Sequence, residues 1–301
     1  DGCRIVTETE YRRFSIWNLS DGRRVHELGP ELRNVSLARD ANVIAASVEN
    51  DVVLYSALSG ERIRTLQGHT RPIRAGHIGN SGALVASGDA YPDDQSGTAD
   101  VILWDAKSGR LLHRMPGHFG SVVLAIAPDE RTLVTVDRNH ILRIWDVTMG
   151  KLRLTSNSLM PEWATWGVER LVFSRDGHTL YACSGGGVQV VNPATGTLRR
   201  KLADGTITIG DLCLSPDGKT LAVARGRWGE DDHDEGVVEL WDLASGAKTD
   251  LEGGHESWVR AIAFANKGET VLTGGHDGRL VWWPTAAEKP APIRTVEAHA
   301  G

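Results

Sequence analysis

VILWDAKSG (residues 101–109) and VELWDLASG (238–246) share one design: alternating apolar residues, a Trp-Asp pair, then Ser-Gly. Alternation with period two belongs to a half-buried strand, and Ser-Gly is a turn signal. Looser copies read FSIWNLSDG (14–22), VVLYSALSG (52–60), LRIWDVTMG (142–150), VQVVNPATG (188–196) and LVWWPTAAE (280–288). The anchor positions are Trp17, Tyr55, Trp104, Trp145, Val191, Trp241 and Trp283, spaced 38 to 50 residues apart. A recurring period of this size marks a repeat architecture, in which no single unit can bury its own apolar faces.

Before most copies comes a second pattern, an apolar strand, a tight turn and another apolar strand. Examples are RLVFSRDGHTLYAC (170–183) and DLCLSPDGKTLAVA (211–224), where Asp-Gly supplies the hairpin because Gly takes positive φ without steric cost. Each repeat therefore predicts four short antiparallel strands. Helical periodicity is absent.

With Trp-Asp pairs at 104–105, 145–146 and 241–242 and Gly-His pairs at 68–69, 117–118 and 254–255, the whole chain resembles the WD40 family. That resemblance implies an all-β fold, a seven-bladed β-propeller of four-stranded antiparallel blades around a channel. The first blade, opening at DGCRIVTETE, is expected to lack its first strand. Residues 1–301 are expected to form a single domain, excised from a longer chain because it begins on Asp1. The resemblance also implies a hydrogen-bonded network of His, Ser or Thr, Asp and Trp inside each blade. In the last repeat this assigns His255, Asp277 and Trp283, with the hydroxyl either missing at Gly275 or supplied by Thr273. In the repeat of Trp145 it assigns His118, with Asn139 at the Asp position. The Val191 repeat has no Trp.

Composition bounds function. The net charge is -6, against the basic face that nucleic-acid partners require. No apolar run reaches membrane-spanning length. Cys3, Cys183 and Cys213 form no CxxC pair and read as small buried hydrophobes. Enzyme signatures fail one by one. Gly218-Lys219-Thr220 has Cys213 where a phosphate loop needs Gly, and His255-Glu256 lacks the second His of a zinc helix. Residues 79–83 break the nucleophile-elbow pattern at Ala83.

Two turns are expanded, GDAYPDDQSGTAD (88–100) and GRWGEDDHDEG (226–236). The first contributes Asp89, Asp93, Asp94 and Asp100, the second Glu230, Asp231, Asp232, Asp234 and Glu235, and neither holds Lys or Arg beyond Arg227. Their nine negatives exceed the net charge, so the rest of the chain is net positive. A calcium reading through Asp231, His233, Glu235 and Asp242 fails on chemistry, because His is a poor calcium ligand and strands flank the loop. In the family such turns share one face with the connections between blades. Trp163, Trp166, Trp228 and Trp258 fall on that face, with Tyr91 and Phe119 in comparable turns. Aromatic rings beside carboxylates suit a basic peptide. The sequence thus predicts a non-catalytic, cofactor-free interaction scaffold for a protein or peptide with a basic segment, with no nucleic-acid or membrane partner; it names no compartment, the cytoplasm being favoured. Rival readings are an enzymatic or metal-binding propeller, or a regulatory module fused to a catalytic domain.

Overall fold

The computed structural model describes residues 4–8, 14–18, 23–29, 31–38, 40–90, 97–157, 159, 168–184, 187–204, 208–227, 235–286 and 290–297. Its strands form a succession of antiparallel meanders. Sheet 1 holds β1 (Arg4–Glu8), β2 (Phe14–Asn18) and β3 (Arg23–Glu27). Blade 2 holds β4 (Arg33–Leu37), β5 (Val43–Val48), β6 (Asp51–Ser56) and β7 (Arg62–Gln67). Blade 3 follows with β8 (Ile73–Ile78), β9 (Leu84–Asp89), β10 (Thr98–Asp105) and β11 (Leu111–Phe119). Blade 4 comprises β12 (Val122–Ile126), β13 (Thr132–Asp137), β14 (Leu142–Asp146) and β15 (Lys151–Ser156). Blade 5 comprises β16 (Val168–Phe173), β17 (Leu180–Ser184), β18 (Gly187–Asn192) and β19 (Thr197–Asp204). Blade 6 comprises β20 (Thr208–Leu214), β21 (Thr220–Arg227), β22 (Glu235–Asp242) and β23 (Lys248–Leu251). Blade 7 comprises β24 (Val259–Ala265), β25 (Thr270–Gly275), β26 (Arg279–Pro284) and β27 (Arg294–Glu297). The arrangement is a β-propeller. Among the described residues six blades have four strands, one fewer than the seven anchors predict; Trp17 lies in the three-stranded sheet.

The repeated motif explains its own turn. In blade 3 the Asp105 carboxylate accepts hydrogen bonds from Ser108 N (2.6 Å) and Ser108 Oγ (2.7 Å), and Gly109 closes the turn at φ +78°. Asp242 does the same for Ser245, at 2.7 Å to both atoms. These bonds hold both carboxyls below their usual range. Trp-Asp-x-x-Ser-Gly is therefore an inward ring, fully buried at Trp104 and partly buried at Trp241, followed by a self-capped turn.

No single core exists. Apart from a small cluster within blade 7 (Leu272, Leu280 and Trp282), each apolar cluster among the described residues is shared by two neighbouring sheets, as when Leu54, Leu66 and Val52 of blade 2 meet Ile73, Val85, Ile102 and Trp104 of blade 3. Similar clusters join sheet 1 to blade 2, blades 3 to 4, 4 to 5, 5 to 6 and 6 to 7. A blade is a slab with two apolar faces, so only flanking slabs can cover it.

Polar side chains stitch these slabs at both radii. The innermost strands pair on one side only, and the N–H groups of their other edges need acceptors. Ser36 Oγ accepts from Ile78 N (3.2 Å), His77 Nδ1 from Ile126 N (3.3 Å) and Asp211 Oδ2 from Ile262 N (3.3 Å), each from one blade to the next. At the circumference, the outer strand donates to the last turn of the following blade. His26 Nε2 reaches Leu58 O (2.8 Å), His113 Nε2 reaches Thr148 O (3.1 Å) and Arg200 Nη2 reaches Leu243 O (2.7 Å).

The meander sorts the loops by face. First-to-second and third-to-fourth turns lie at the lower end of a blade. Second-to-third turns and the connections between blades lie at the upper end, so both expanded turns belong to the upper face.

Candidate functional site

The upper face is framed by side-chain networks that fix the connections between blades. In blade 7, His255 Nε2 meets Thr273 Oγ1 at 2.7 Å, its Nδ1 meets the Asp277 carboxylate at 3.0 Å, and Trp283 Nε1 donates to Thr273 Oγ1 at 2.8 Å. Thr273 is thus the hydroxyl member. Gly254, of the Gly-His pair, lies against the Trp283 ring, where a methyl group would overlap Cη2 and Cζ2.

Blade 3 contains a complete network that sequence reading missed. His69 joins Asp89 (3.1 Å) and Ser87 (2.8 Å), and Trp104 Nε1 donates to Ser87 Oγ at 2.8 Å. The signal was present in Gly68-His69 and Trp104-Asp105, but the expanded turn sets Asp89 fifteen residues before its Trp instead of six. This also corrects the charge reading. Asp89 is buried and paired with His69 and with Arg71 (3.2 Å), and Asp100 pairs with Arg114 at 3.0 Å. Neither is a free rim charge.

In blade 4, His118 and Trp145 both bond Thr135 Oγ1, at 2.8 and 3.0 Å. The acid of this blade is Asp137, not the residue at Asn139, which is exposed. Asp137 accepts from Phe119 N (3.2 Å) and Arg143 Nη1 (2.6 Å) and makes no bond to His118.

Blade 6 inverts that pair. Arg225 lies four residues after Leu221 as Asp137 does after Leu133, and Leu221 and Leu133 both stand opposite the blade Trp. Glu239 and Arg143 each precede that Trp by two residues. Arg225 Nε approaches Glu239 Oε2 at 3.1 Å, with both side chains buried, and Trp241 Nε1 donates to the same oxygen at 3.0 Å. Lys248 Nζ reaches Glu239 Oε1 at 3.2 Å. A local pattern search for His and Ser cannot find a charge-reversed equivalent.

Burial of the histidines gives the fold an acid sensitivity. Burial depresses His118 to a pKa of about 4, with Arg143 adding to it, and burial alone depresses His77 to about 4. An unfolded chain, with histidines near 6.5, binds these protons first, so stability present above pH 6.5 is lost as pH falls toward 4. Asp211 and Glu169, whose carboxyls burial raises, act in the opposite sense. His118 alone should lower the unfolding free energy by on the order of 2–3 kcal/mol between pH 7.0 and 4.5, read from urea denaturation of the wild type against His118→Gln. An equal fall in both proteins would refute this assignment.

Of the residues predicted to bind a partner, Tyr91, Asp93, Asp94, Trp163, Trp166, Trp228, Asp231, Asp232 and Asp234 lie outside the described residues. Trp258 and Phe119 are described. Phe119 sits at the connection of blades 3 and 4, three junctions from Trp258, so these two do not form one patch. Trp258 is half-buried over the root of the 228–234 turn. A methyl on Gly226 would overlap its indole, and one on Gly236 would overlap Ser257 O, so two glycines let the blade 7 connection press on that hairpin. Gly226 and Gly236 are register partners at its base. Arg260 lies over the indole at 4.8 Å from the centroid and donates to His276 Nε2 at 2.9 Å.

Among the described residues no group of three or more His, Cys, Asp or Glu is placed to hold a metal ion, and no helix is long and apolar enough to cross a membrane. Cys183 is buried and Cys213 half-buried, and burial raises both thiols.

Comparison with known proteins agrees with the geometry. The family described as "WD domain, G-beta repeat" matches residues 109–146 and 248–284, segments that span the Trp145 and Trp283 motifs. Two segments of the chain thus match the WD40 repeat, and its sheets are arranged as a β-propeller. It is 27% identical over 295 residues to Actin-interacting protein 1 of Drosophila melanogaster, covering 93% of this chain and 45% of that protein. To Autophagy-related protein 16 of Arabidopsis thaliana it is 26% identical over 223 residues, 67% of this chain and 38% of the relative. To Apoptotic protease-activating factor 1 of Homo sapiens it is 25% identical over 227 residues, 73% and 18% respectively. The chain spans less than half the length of each of these relatives. WD40 propellers are in general non-catalytic scaffolds for protein interactions.

Proposed function

We propose that this propeller is a non-catalytic scaffold whose upper face takes a protein segment rich in cationic residues. The observation that carries the reading is the seat of Trp258 on Gly226, which joins an aromatic ring to the base of the acidic turn. Trp258 and Trp228 act as anchors, and Asp231, Asp232 and Asp234 steer the ligand. Asp93, Asp94, Tyr91, Phe119, Trp163 and Trp166 extend the face. Arg260 supports the role of the Trp258 ring as a guanidinium acceptor, and makes binding an exchange in which a ligand cation displaces it. The scaffold role of the family, and relatives such as Actin-interacting protein 1, support a protein partner.

The test is fluorescence anisotropy with a labelled peptide alternating Arg with Trp. Trp258→Ala should weaken binding by about thirtyfold, the effect of losing a central aromatic anchor. Asp234→Asn should change it less than about threefold, as rim charges do. Arg260→Ala should tighten it by vacating the ring. If neither Trp258→Ala nor neutralisation of residues 230–235 alters binding, the site is wrong.

A further inference from the structure

A second surface lies on the circumference, below the upper face. Among the described residues the most exposed large apolar side chain is Ile293 of blade 7, at 62%, and the next four gather on the outer strands and last turns of blades 2 and 4. Leu58, Ile63, Met149 and Leu152 are between 47% and 59% exposed, with Leu111 between them. The three blades abut along this belt. Gly109 of blade 3 packs on Arg64 of blade 2, and Gly150 of blade 4 packs on the His113 ring of blade 3.

Cations flank the apolar positions of the outer strands: Arg62 and Arg64 beside Ile63, Arg110 beside Leu111, Lys151 and Arg153 beside Leu152. None of these five forms an ion pair with a described acidic side chain. The nearby acids are committed to their own turns. Asp105 holds Ser108, Asp146 accepts from Met149 N at 2.9 Å, and Glu61 accepts from Ser59 Oγ at 3.2 Å. Charges on an edge strand protect it from pairing with other edges. That protection gives no reason for leaving Leu58, Ile63, Met149 and Leu152 in water beside the cations. Exposed apolar side chains interleaved with an excess of cations over the three nearby carboxylates mark an interaction surface.

We infer that the outer edge of blades 2 to 4 docks an acidic, apolar-bearing segment of a protein partner. Its apolar residues cover Ile63, Leu152, Leu58 and Met149, and its carboxylates meet Arg62, Lys151 and Arg153. Charge complementarity decides the occupant. The molecule carries a net charge of -6, yet here five cations outnumber the three nearby carboxylates and form no ion pair with a described acid, so an acidic segment is drawn here and a basic one is turned away.

The probe is a fluorescein-labelled peptide alternating Glu with Leu, against its Lys-for-Glu counterpart. The Glu-Leu peptide should bind, weaken with added salt, and lose at least tenfold in affinity with Arg62→Glu/Lys151→Glu/Arg153→Glu. Ile63→Ser/Leu152→Ser should weaken it comparably, while Trp258→Ala leaves it unchanged, which separates this surface from the upper face. All the altered side chains are on the outer strands, and thermal melts check that both variants stay folded. Equal binding of the Lys-Leu peptide, no binding of the Glu-Leu peptide, or indifference to both variants overturns the proposal. So does a belt that proves to hold only phosphatidylserine vesicles in flotation, or only a second copy of the chain in sedimentation.

Discussion

Glu239→Ala will destabilise the propeller by about 3–5 kcal/mol, the penalty for a buried charge stripped of its counter-ion. Arg225 is the stranded group. Its side chain is 4% exposed, so water cannot replace the carboxylate that approaches it at 3.1 Å. Trp241 loses its acceptor as well, which adds about 1 kcal/mol. Lys248 does not share the penalty, because it is partly exposed and keeps Asp250 at 3.0 Å. The double variant Arg225→Leu/Glu239→Leu removes both charges and should recover most of the loss, since apolar replacements of a buried pair are often neutral or stabilising. Urea denaturation of wild type, Arg225→Leu, Glu239→Leu and the double variant measures this as a cycle. A double-variant loss equal to the sum of the two single losses would show that the pair does not interact.

Trp104→Ala should cost about 3–5 kcal/mol, the range for a large aromatic removed from a core. Trp104 is fully buried in the cluster that blades 2 and 3 share, so the cavity opens between slabs rather than within one. Ser87 also loses the indole donor and keeps only His69. Trp241→Ala should cost less, because Trp241 is partly exposed and its network is ionic. Gly68→Ala tests the same contact from the other side, since a methyl there would stand 2.7 Å from Trp104 Cη2. Calorimetric unfolding of the Trp variants ranks them, and a Trp241 variant melting below the Trp104 variant would reverse the ordering argued here.

Fold and site differ in how far they can be read from the chain. Blades are local: about forty consecutive residues carry the alternation, the Asp-Gly hairpins and the Trp-Asp turn that make one. Where a network keeps its spacing, as between Asp277 and Trp283, its members are legible too. Where an expanded turn stretches the spacing, as between Asp89 and Trp104, the same network escapes a fixed-offset search. Arg225 and Glu239 escape for another reason, since reversing both charges preserves the pairing while erasing the letters. The seat of Trp258 on Gly226 joins residues from adjacent blades 32 positions apart, a contact set by how two slabs stack and not by either repeat alone.

The stitching at the inner and outer radii has a directional consequence. Side chains from Ser36, His77 and Asp211, and from His26, His113 and Arg200, all reach forward to the sheet that follows. A newly folded repeat therefore presents, ready-made, the donors and acceptors its successor needs. Assembly from the leading end gains a template at every step, whereas growth in reverse would leave each of those groups waiting for a predecessor.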